Sequence, residues 1–312
     1  MASSSFEELV APHRAELHAH CYRMLGSLQD ADDALQDALL GAWRGLDKLE
    51  APSALRAWLY RIATNACLQL IAKRPRRWAA AEYREPASPD AELEHMLSEP
   101  IWLEPYFADP HASYEARENV ELAFVAALQH LPSTQRAVLL LSEVLGLAAS
   151  EVAESLDTSV AAVNSALQRA REAIALRVPA KSQQATLREL GDEGQRLLVS
   201  RFVEAWDRSD VDGILQLLVE DARFTMPPIP SWFQGHHDIA RFMRERMFAT
   251  PWRVEPVAGG ISGQLAFACY QYQAPELRLG ALNVVTLRGA RIAEMTGFLD
   301  PALHARFKLL DR

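Results

Sequence analysis

Proline divides this 312-residue chain into parts that cannot form one continuous helical array. Six prolines fall within residues 75–119, at Pro75, Pro86, Pro89, Pro100, Pro105 and Pro110. Because proline lacks a backbone N–H and clashes with the preceding helical turn, this density favours an irregular connection with at most short helices. Aromatic residues in the same stretch, among them Trp78 and Trp102, indicate that part of the connection packs against other structure.

The composition is typical of globular proteins, with 49% hydrophobic and 23% charged residues. The length corresponds to about two domains, since domains usually have about 100–200 residues. Cys21, Cys67 and Cys269 are far apart without CxxC spacing, which favours reduced, packed thiols over a metal site or disulfides. Neither a signal peptide nor a run of about 18 apolar residues is visible. We therefore expect a cytoplasmic protein with no membrane span, metal or cofactor.

Positive charge is concentrated in one short stretch, although the net charge of the chain is −9. Residues 55–77 contain no acid, and their cationic side chains are Arg56, Arg61, Lys73, Arg74, Arg76 and Arg77. Residues 82–121, in contrast, are rich in acids. A helical stripe with this many cations is sufficient for contacts to nucleic-acid phosphates, whatever the overall charge.

Apolar residues at helical spacing predict three helices between Phe6 and Arg74. The second of them begins at Asp30–Asp33, because acids are favoured at the positive end of the helix dipole. Its predicted apolar stripe consists of Leu35, Leu39, Ala42, Trp43 and Leu46.

A second helical region, residues 120–177, contains a short helix at Ser150–Leu156 and a longer one at Val160–Arg177. Asp157 and Thr158 form the turn between them, and aspartate tolerates the left-handed conformation that such a turn requires. Two helices joined in this way form the helix-turn-helix pattern, whose second helix enters the major groove of DNA.

From Gly191 the pattern changes to α+β. A helical segment is predicted at Gly235–Phe248, and an alternating strand at Ala222–Met226. Four further strands, separated by glycine or proline turns, are predicted at Arg253–Val257, Leu265–Gln273, Leu279–Arg288 and Arg291–Leu299. Helices followed by a curved antiparallel sheet predict a cone-shaped domain with a pocket between the two layers.

Several stretches carry a family resemblance because they occur together in this order and spacing. In the helical part they are Gln29–Leu39, Ala42–Arg44, Leu55–Asn65, Leu131–Leu141 and the helix pair within Leu147–Arg171. These stretches resemble regions 2 and 4 of bacterial sigma-70 superfamily factors of the extracytoplasmic-function (ECF) type. In the C-terminal part, Met226–Pro228, Trp232–Gly235 and Gly297–Pro301 resemble SnoaL-like domains of the nuclear-transport-factor-like fold.

The resemblance implies a multidomain chain with two all-α domains followed by an α+β cone. Its expected boundaries are 1–77 for region 2, 78–119 for an acidic, proline-rich linker, 120–180 for region 4 and 190–312 for a SnoaL-like regulatory domain. The implied function is that of a sigma factor, which binds core RNA polymerase, recognises the −10 and −35 promoter elements and initiates transcription. The polymerase itself supplies the bond chemistry, so no catalytic residue is expected.

The resemblance also assigns candidate contact residues. Those for core polymerase are Asp32, Asp33, Gln36 and Asp37. Those for the −10 element are Arg56, Arg61, Asn65, Lys73, Arg74, Arg76 and Arg77. Those for the −35 element are Ser159, Asn164, Ser165, Gln168, Arg169 and Arg171. Hydroxyl, amide and guanidinium groups on an exposed helix face suit these roles, since they donate to phosphates and base edges.

The C-terminal domain has a candidate ligand pocket formed by Trp232, His236, Tyr270, Tyr272 and Asn283. It shows no paired Asp and His at a recognisable spacing, which favours a ligand-sensing or interaction module that modulates the sigma factor. A small-molecule ligand and an anti-sigma factor are the further candidate partners. Two alternatives stay open: a SnoaL-like cyclase, isomerase or hydrolase fused to a helical DNA-binding regulator, and a repressor that never contacts polymerase.

Overall fold

The chain forms a helical part followed by a mixed α and β part, seen in a computed structural model that describes residues 2–49, 51, 54–98, 101–107, 120–273 and 276–307. The helices are α1 (Ala2–Val10), α2 (Arg14–Leu25), α3 (Leu28–Arg44), α4 (Leu55–Ile71), α5 (Ala80–Tyr83), α6 (Leu122–Gln129), α7 (Ser133–Leu139), α8 (Ala149–Ser155), α9 (Val160–Ala175), α10 (Gln183–Asp207), α11 (Val211–Leu217), α12 (Gly235–Glu245) and α13 (Pro301–Arg306). The strands are β1 (Leu218–Met226), β2 (Ile229–Gln234), β3 (Trp252–Pro256), β4 (Ala266–Gln273), β5 (Glu276–Arg288) and β6 (Arg291–Phe298).

Two compact units contain these elements. The first consists of Met1–Arg77 and Ala123–Ala180, and the second of Trp78–Leu122 and Lys181–Arg312. The first is helical and the second contains the sheet, which confirms the predicted fold class of helical domains followed by an α+β domain.

Local signals define the helices of the first unit. Gly26 ends α2 in the left-handed conformation, with φ of 71°. Ser27 then caps α3, because its Oγ accepts a hydrogen bond from the backbone N–H of Asp30. Helices α2, α3 and α4 pack against one another through small and apolar side chains, so that Cys21 and Cys67 are fully buried as free thiols.

A buried histidine lies in this three-helix packing. His20 is fully buried, and its Nε2 lies 2.9 Å from the hydroxyl of Thr64. Burial, together with the positive charge of Arg23, lowers the pKa of His20 to about 3. The imidazole is therefore neutral in the folded protein at neutral pH.

We expect this histidine to make the first unit sensitive to acid. In the unfolded chain the pKa of His20 is about 6.5, so unfolding takes up a proton between that value and the folded one. The free energy of unfolding therefore decreases as pH falls through this window, by up to about 1.4 kcal/mol per pH unit. Urea denaturation at a series of pH values should show a shallower dependence for His20→Gln than for the unchanged protein. The exposed His237, replaced in the same way, should leave the slope unaltered, and equal slopes in all three proteins would contradict the assignment.

Strand order in the second unit is β2-β1-β6-β5-β4-β3. Neighbouring strands are antiparallel except β1 and β6, which are parallel. The expectation of a wholly antiparallel sheet was therefore wrong. Strand β2 was also missed, because Pro230 within it and Pro227 and Pro228 before it obscure the alternating pattern, and because it folds straight back onto β1.

Helices α10 to α12 cover one face of this sheet, and aromatic rings fill the space between the two layers. Phe202 stacks on Phe267 with ring centroids 4.1 Å apart, and Phe233 stacks on Phe242 at 4.4 Å. Rings in these positions bury large apolar areas, which is the main source of stability for such a layer.

The predicted linker is partly a packed element of the second unit. We call residues 84–97 the strap. Its Ala87 N–H donates to the carbonyl of Trp232 at 2.7 Å, and its Leu97 N–H donates to the carbonyl of Pro228 at 3.0 Å. Trp232 Nε1 in turn donates to the carbonyl of Arg84 at 2.8 Å. Residues 78–98 and 101–107 are therefore part of the second unit, in keeping with the expectation that part of the connection packs against other structure; residues 108–119 lie outside the described ranges.

Candidate nucleic-acid and protein interfaces

Helix α3 presents the residues predicted to contact polymerase. Asp32, Gln36 and Asp37 are exposed, and Asp33 is half-buried. Asp32 Oδ1 lies 3.0 Å from His18 Nε2, and Asp33 Oδ2 lies 3.9 Å from a guanidinium nitrogen of Arg74. The acids are thus held on the outer side of the bundle, where a basic partner surface can reach them.

Two large apolar side chains extend this acidic face. Leu40 is 45% exposed and Trp43 is 54% exposed. With Gln36 they follow the i, i+4, i+7 spacing of one helix face. Exposed apolar residues next to charged ones are typical of a protein–protein interface. This surface, which we call the α3 face, consists of Asp32, Asp33, Gln36, Asp37, Leu40 and Trp43.

The sequence prediction that Trp43 is buried was wrong. Helix α3 packs inward through Ala31, Ala34, Leu35, Ala38 and Ala42. That row of small residues already has helical periodicity, and Trp43 lies about 100° around the helix from Ala42. Because this row alone accounts for the inner face of α3, the sequence could have identified Trp43 and Leu40 as surface residues.

The cationic stripe on and after α4 acquires acidic partners from other helices. Arg56 lies 2.9 Å from a carboxylate oxygen of Glu16 and 5.1 Å from the ring centroid of Tyr60. Arg61 lies 3.6 Å from Glu154. The residues of this set that are exposed are Arg56, Asn65, Lys73 and Arg74, and those half-buried are Arg61 and Arg76. The absence of acids from residues 55–77 therefore does not mean that these cations lack counter-charges in three dimensions.

Arg77 differs from the rest of the predicted −10 set. Its side chain is 3% exposed and forms a short ion pair with the equally buried Asp30. A guanidinium in this environment cannot reach a phosphate, so the structure gives Arg77 a role in packing the end of the stripe onto α3. The prediction of a DNA contact for Arg77 is corrected accordingly.

Replacing Arg77 with Met should lower the free energy of unfolding by about 3–5 kcal/mol, because the buried Asp30 carboxylate would lose its buried, hydrogen-bonded partner and keep only the more distant and exposed Arg74. Arg74→Met offers a matched control, since the Arg74 side chain is 43% exposed and lies 3.7 Å from the same carboxylate. Its loss should cost less than about 1 kcal/mol. Urea denaturation measures both values, and equal effects would contradict the buried role of Arg77.

Helices α8 and α9 form the predicted helix-turn-helix. Asp157 adopts the left-handed conformation with φ of 50°, as the sequence indicated. The Ser159 hydroxyl accepts a hydrogen bond from the Ala162 N–H at 3.1 Å and so caps α9. Helix α9 packs inward through Val163, Ala166 and Ala170.

The outer side of α9 is polar. Every residue predicted for the −35 element is exposed, namely Ser159, Asn164, Ser165, Gln168, Arg169 and Arg171. Two of them have acidic neighbours: Gln168 donates to Glu172 at 3.1 Å, and Arg171 Nε donates to Glu143 at 3.1 Å. The side chains of Gln168 and Arg169 thus combine amide and guanidinium groups that suit base edges and phosphates.

The two helical regions touch one another within the first unit. Arg136 lies on α7 and is 5% exposed. It donates to the carbonyl of Met24 at the end of α2 and to the side chain of Gln129 on α6. Burial and the nearby Arg76 lower the pKa of Arg136 to about 10. Arg136 thus joins α7 to the end of α2, and the ion pair between Arg61 and Glu154 joins α4 to α8.

The five residues predicted to form a ligand pocket do not come together. Trp232 is buried and holds the strap, Tyr270 is 3% exposed, and Tyr272 is 52% exposed at the end of β4. His236 is half-buried in the first turn of α12. Asn283 is the one member of this set that lines the apolar cavity of the second unit. Sequence position alone could not reveal which side chains of the strands face inward at the bulges.

Two classes of site are absent from the described residues. No group of three or more His, Cys, Asp or Glu side chains lies close enough in the described ranges to hold a metal ion. None of the described helices has the length and apolar character needed to cross a membrane.

Comparison with protein families gives three matches along the chain. They are Sigma-70 region 2 at residues 9–77, Sigma-70 region 4 at residues 121–174 and the SnoaL-like domain at residues 199–295. The order and approximate extent of these matches agree with the resemblance inferred from the sequence.

Individual sigma factors match this chain over different extents. The ECF RNA polymerase sigma factor SigG of Mycobacterium tuberculosis is 39% identical over 315 residues, which cover 98% of this chain and 84% of SigG. SigW of Bacillus subtilis, also an ECF RNA polymerase sigma factor, is 28% identical over 175 residues, covering 54% of this chain and 87% of SigW. The crystal structure of the extracytoplasmic function sigma factor SigJ of Mycobacterium tuberculosis matches with a TM-score of 0.62 at 21% identity and covers 97% of this chain and 98% of SigJ. The SigJ match shows a shared fold over nearly the whole chain.

Proposed function

Because the chain belongs to the ECF RNA polymerase sigma factors, we propose that it brings core RNA polymerase to promoters through three separate surfaces. The α3 face binds the polymerase, the stripe on α4 binds the −10 element, and the outer side of α9 reads the −35 element. The observation that carries this proposal is the fully exposed polar side of α9, which follows a region 2 bundle in the same chain.

The α3 face suits a polymerase contact because it combines exposed acids with Leu40 and Trp43. Acids fix the register against a basic partner, and buried apolar side chains supply most of the affinity. Trp43 is the expected centre of the contact, since a half-exposed indole loses the most water-accessible apolar surface on binding.

The −10 contact uses those residues of the predicted set that are not buried. We assign Arg56, Arg61, Asn65, Lys73, Arg74 and Arg76 to it, without Arg77. Strand separation requires side chains that hold the displaced strand by its phosphates and bases. Asn65 and Lys73 are exposed. Arg56 and Arg74 are exposed as well, but they lie within ion-pair distance of Glu16 and Asp30, so that DNA must compete with these carboxylates for them.

Promoter binding requires the two helical regions to separate. The −10 and −35 elements are about 25 base pairs apart by their positions, which is roughly 85 Å of B-form DNA at about 3.4 Å per step. Arg61 of the −10 set lies 3.6 Å from Glu154 on α8, so the packed arrangement cannot reach both elements at once. Core polymerase supplies the binding energy that opens this contact.

The C-terminal domain modulates this opening through the strap. Residues 84–97 lie between the two helical regions in sequence and are hydrogen-bonded to β2 and its preceding turn. A strap that stays bound shortens the free length of chain between regions 2 and 4. The cavity lining contains no Asp, Glu or His among the described residues, so nothing there favours acid–base catalysis. We place this activity in the cytoplasm, where polymerase and chromosome meet.

Run-off transcription tests the proposal. Bacterial core polymerase with genomic fragments should give specific transcripts when the full chain is added and none without it. A Ser231→Ala, Trp232→Phe double variant removes two hydrogen bonds to the strap and should change transcript yield while polymerase still co-purifies. Absence of specific transcripts despite polymerase binding would contradict the sigma-factor function.

A further inference from the structure

An apolar cavity of about 300 Å³ lies within the second unit, between the sheet and the helices. Its apolar lining includes Trp206, Phe224, Phe242, Met247, Trp252 and Leu299. Pockets for small ligands usually have about 300–1,000 Å³ and a few polar groups among apolar walls. The cavity therefore suits a molecule of one or two fused rings.

Asn283, a lining residue of this cavity, carries a buried hydrogen-bond acceptor. The side chain is 1% exposed, its Nδ2 donates to Cys269 Sγ at 3.2 Å, and its Oδ1 has no hydrogen-bond partner among the residues that the structure describes. The thiol of Cys269 donates to the carbonyl of Phe267 at 3.8 Å, which leaves its sulfur to accept from Asn283. Gly297 lies beside Oδ1, and a Cβ there would come within 2.8 Å of it. A side chain at position 297 would therefore collide with this acceptor.

A donor and a cation lie on the same lining. Trp206 is 2% exposed, and its Nε1–H is buried with no acceptor in the described part of the chain. Arg246 is half-buried at the end of α12 and, within the ranges that the structure describes, has no carboxylate partner. An unsatisfied buried polar atom is unfavourable, so a ligand that satisfies such groups recovers the free energy that was lost on their burial.

The strap also contributes to the cavity. Leu93 and Met96 are lining residues, and Met96 is 55% exposed. The backbone on either side is hydrogen-bonded to the domain, since Glu94 N–H donates to Ser231 Oγ at 3.1 Å and Leu97 N–H donates to the Pro228 carbonyl at 3.0 Å. A molecule in the cavity therefore contacts the segment that joins the two helical regions.

We propose that the C-terminal domain binds a small aromatic carboxylic acid that carries a hydroxyl group. Its carboxylate pairs with Arg246, its hydroxyl donates to Asn283 Oδ1, and its rings lie against Trp206 and Leu93. Binding then tightens the strap on the domain. This inference deepens the modulating role of the domain, yet the binding itself does not depend on promoter recognition.

Calorimetry with the full chain tests the ligand class. The probes are a hydroxynaphthoic acid, the same ring system without the hydroxyl, and the hydroxynaphthamide, which is neutral. We expect the hydroxy acid to bind about tenfold more tightly than either analogue, because each analogue lacks one polar contact. Arg246→Gln should remove the preference for acid over amide, whereas Arg291→Gln, an exposed cation on β6, should retain it.

Hydrogen exchange locates the binding. The hydroxy acid should slow exchange of the Glu94 and Leu97 amides in the unchanged protein, and this protection should be lost in Arg246→Gln at the same ligand concentration. Equal binding of acid and amide, an Arg246→Gln protein with unaltered preference, no binding by any probe, or binding without protection of residues 93–97 would each overturn the proposal. Failure of transcription alone would leave it unaffected and would count against the proposed function.

Discussion

A double variant with Asp37→Arg and Trp43→Ala is expected to lose at least about 100-fold in affinity for core polymerase and to abolish specific transcription. Trp43 is 54% exposed on the α3 face, and burying its indole at an interface contributes about 2–4 kcal/mol. Asp37 is exposed, so an arginine there opposes a basic partner without disturbing the bundle. Titration of labelled protein with core polymerase measures the affinity directly.

Folding provides the control for this result. Both positions lie outside the packed side of α3, so thermal unfolding of the double variant should match that of the unchanged protein within a few degrees. Glu8→Arg makes the same charge change at an exposed position of α1 and should bind polymerase normally. Normal polymerase affinity in the double variant would show that the α3 face is not the docking surface.

Replacing Gln168 and Arg169 together with Ala is expected to reduce transcription from a promoter with a −35 element roughly 100-fold. Each base-edge contact is worth about 1–3 kcal/mol, and both side chains lie on the exposed side of α9. Affinity for core polymerase should stay unchanged, because the α3 face is intact. Run-off transcription and polymerase titration of the same preparation separate the two effects.

Arg177→Ala is the matched control for the recognition helix. Arg177 follows α9 and its guanidinium donates to the carbonyl of Ala173, so its loss removes a cation from the same region without removing a predicted base contact. Transcription should fall only slightly and equally on all promoters. A larger effect for Arg177→Ala than for the double replacement would mean that α9 does not read the −35 element.

The sequence predicted the local elements of this molecule well where a single helix carried the signal. The acids at Asp30–Asp33 indicated the start of α3, which begins two residues earlier at Leu28, and the left-handed Asp157 lies in the predicted turn before α9. Such features depend on neighbours a few residues apart, which a single sequence records.

The sequence did not predict the contacts between residues that are distant from one another in the chain. The parallel pairing of β1 with β6 joins residues about seventy positions apart, and the strap reaches β2 across more than a hundred. The burial of Arg77 depends on Asp30, which lies on another helix. The predicted pocket was mostly wrong for the same reason, since Asn283 is the one residue of its five that lines the cavity. Strand bulges and register determine which side chains of a strand point into the domain, and both depend on the partner strand.

Footprinting of a single promoter complex tests polymerase binding, −35 recognition and strand separation at −10 in one experiment. With core polymerase and this protein on a promoter fragment, we predict nuclease protection around −35 together with permanganate-reactive thymines around −10. Both signals should vanish with the Asp37→Arg, Trp43→Ala variant, and the protection near −35 should weaken with the Gln168, Arg169 double replacement. Protection of DNA by this protein without polymerase, with no reactive thymines in either case, would contradict the account and identify a simple DNA-binding regulator instead.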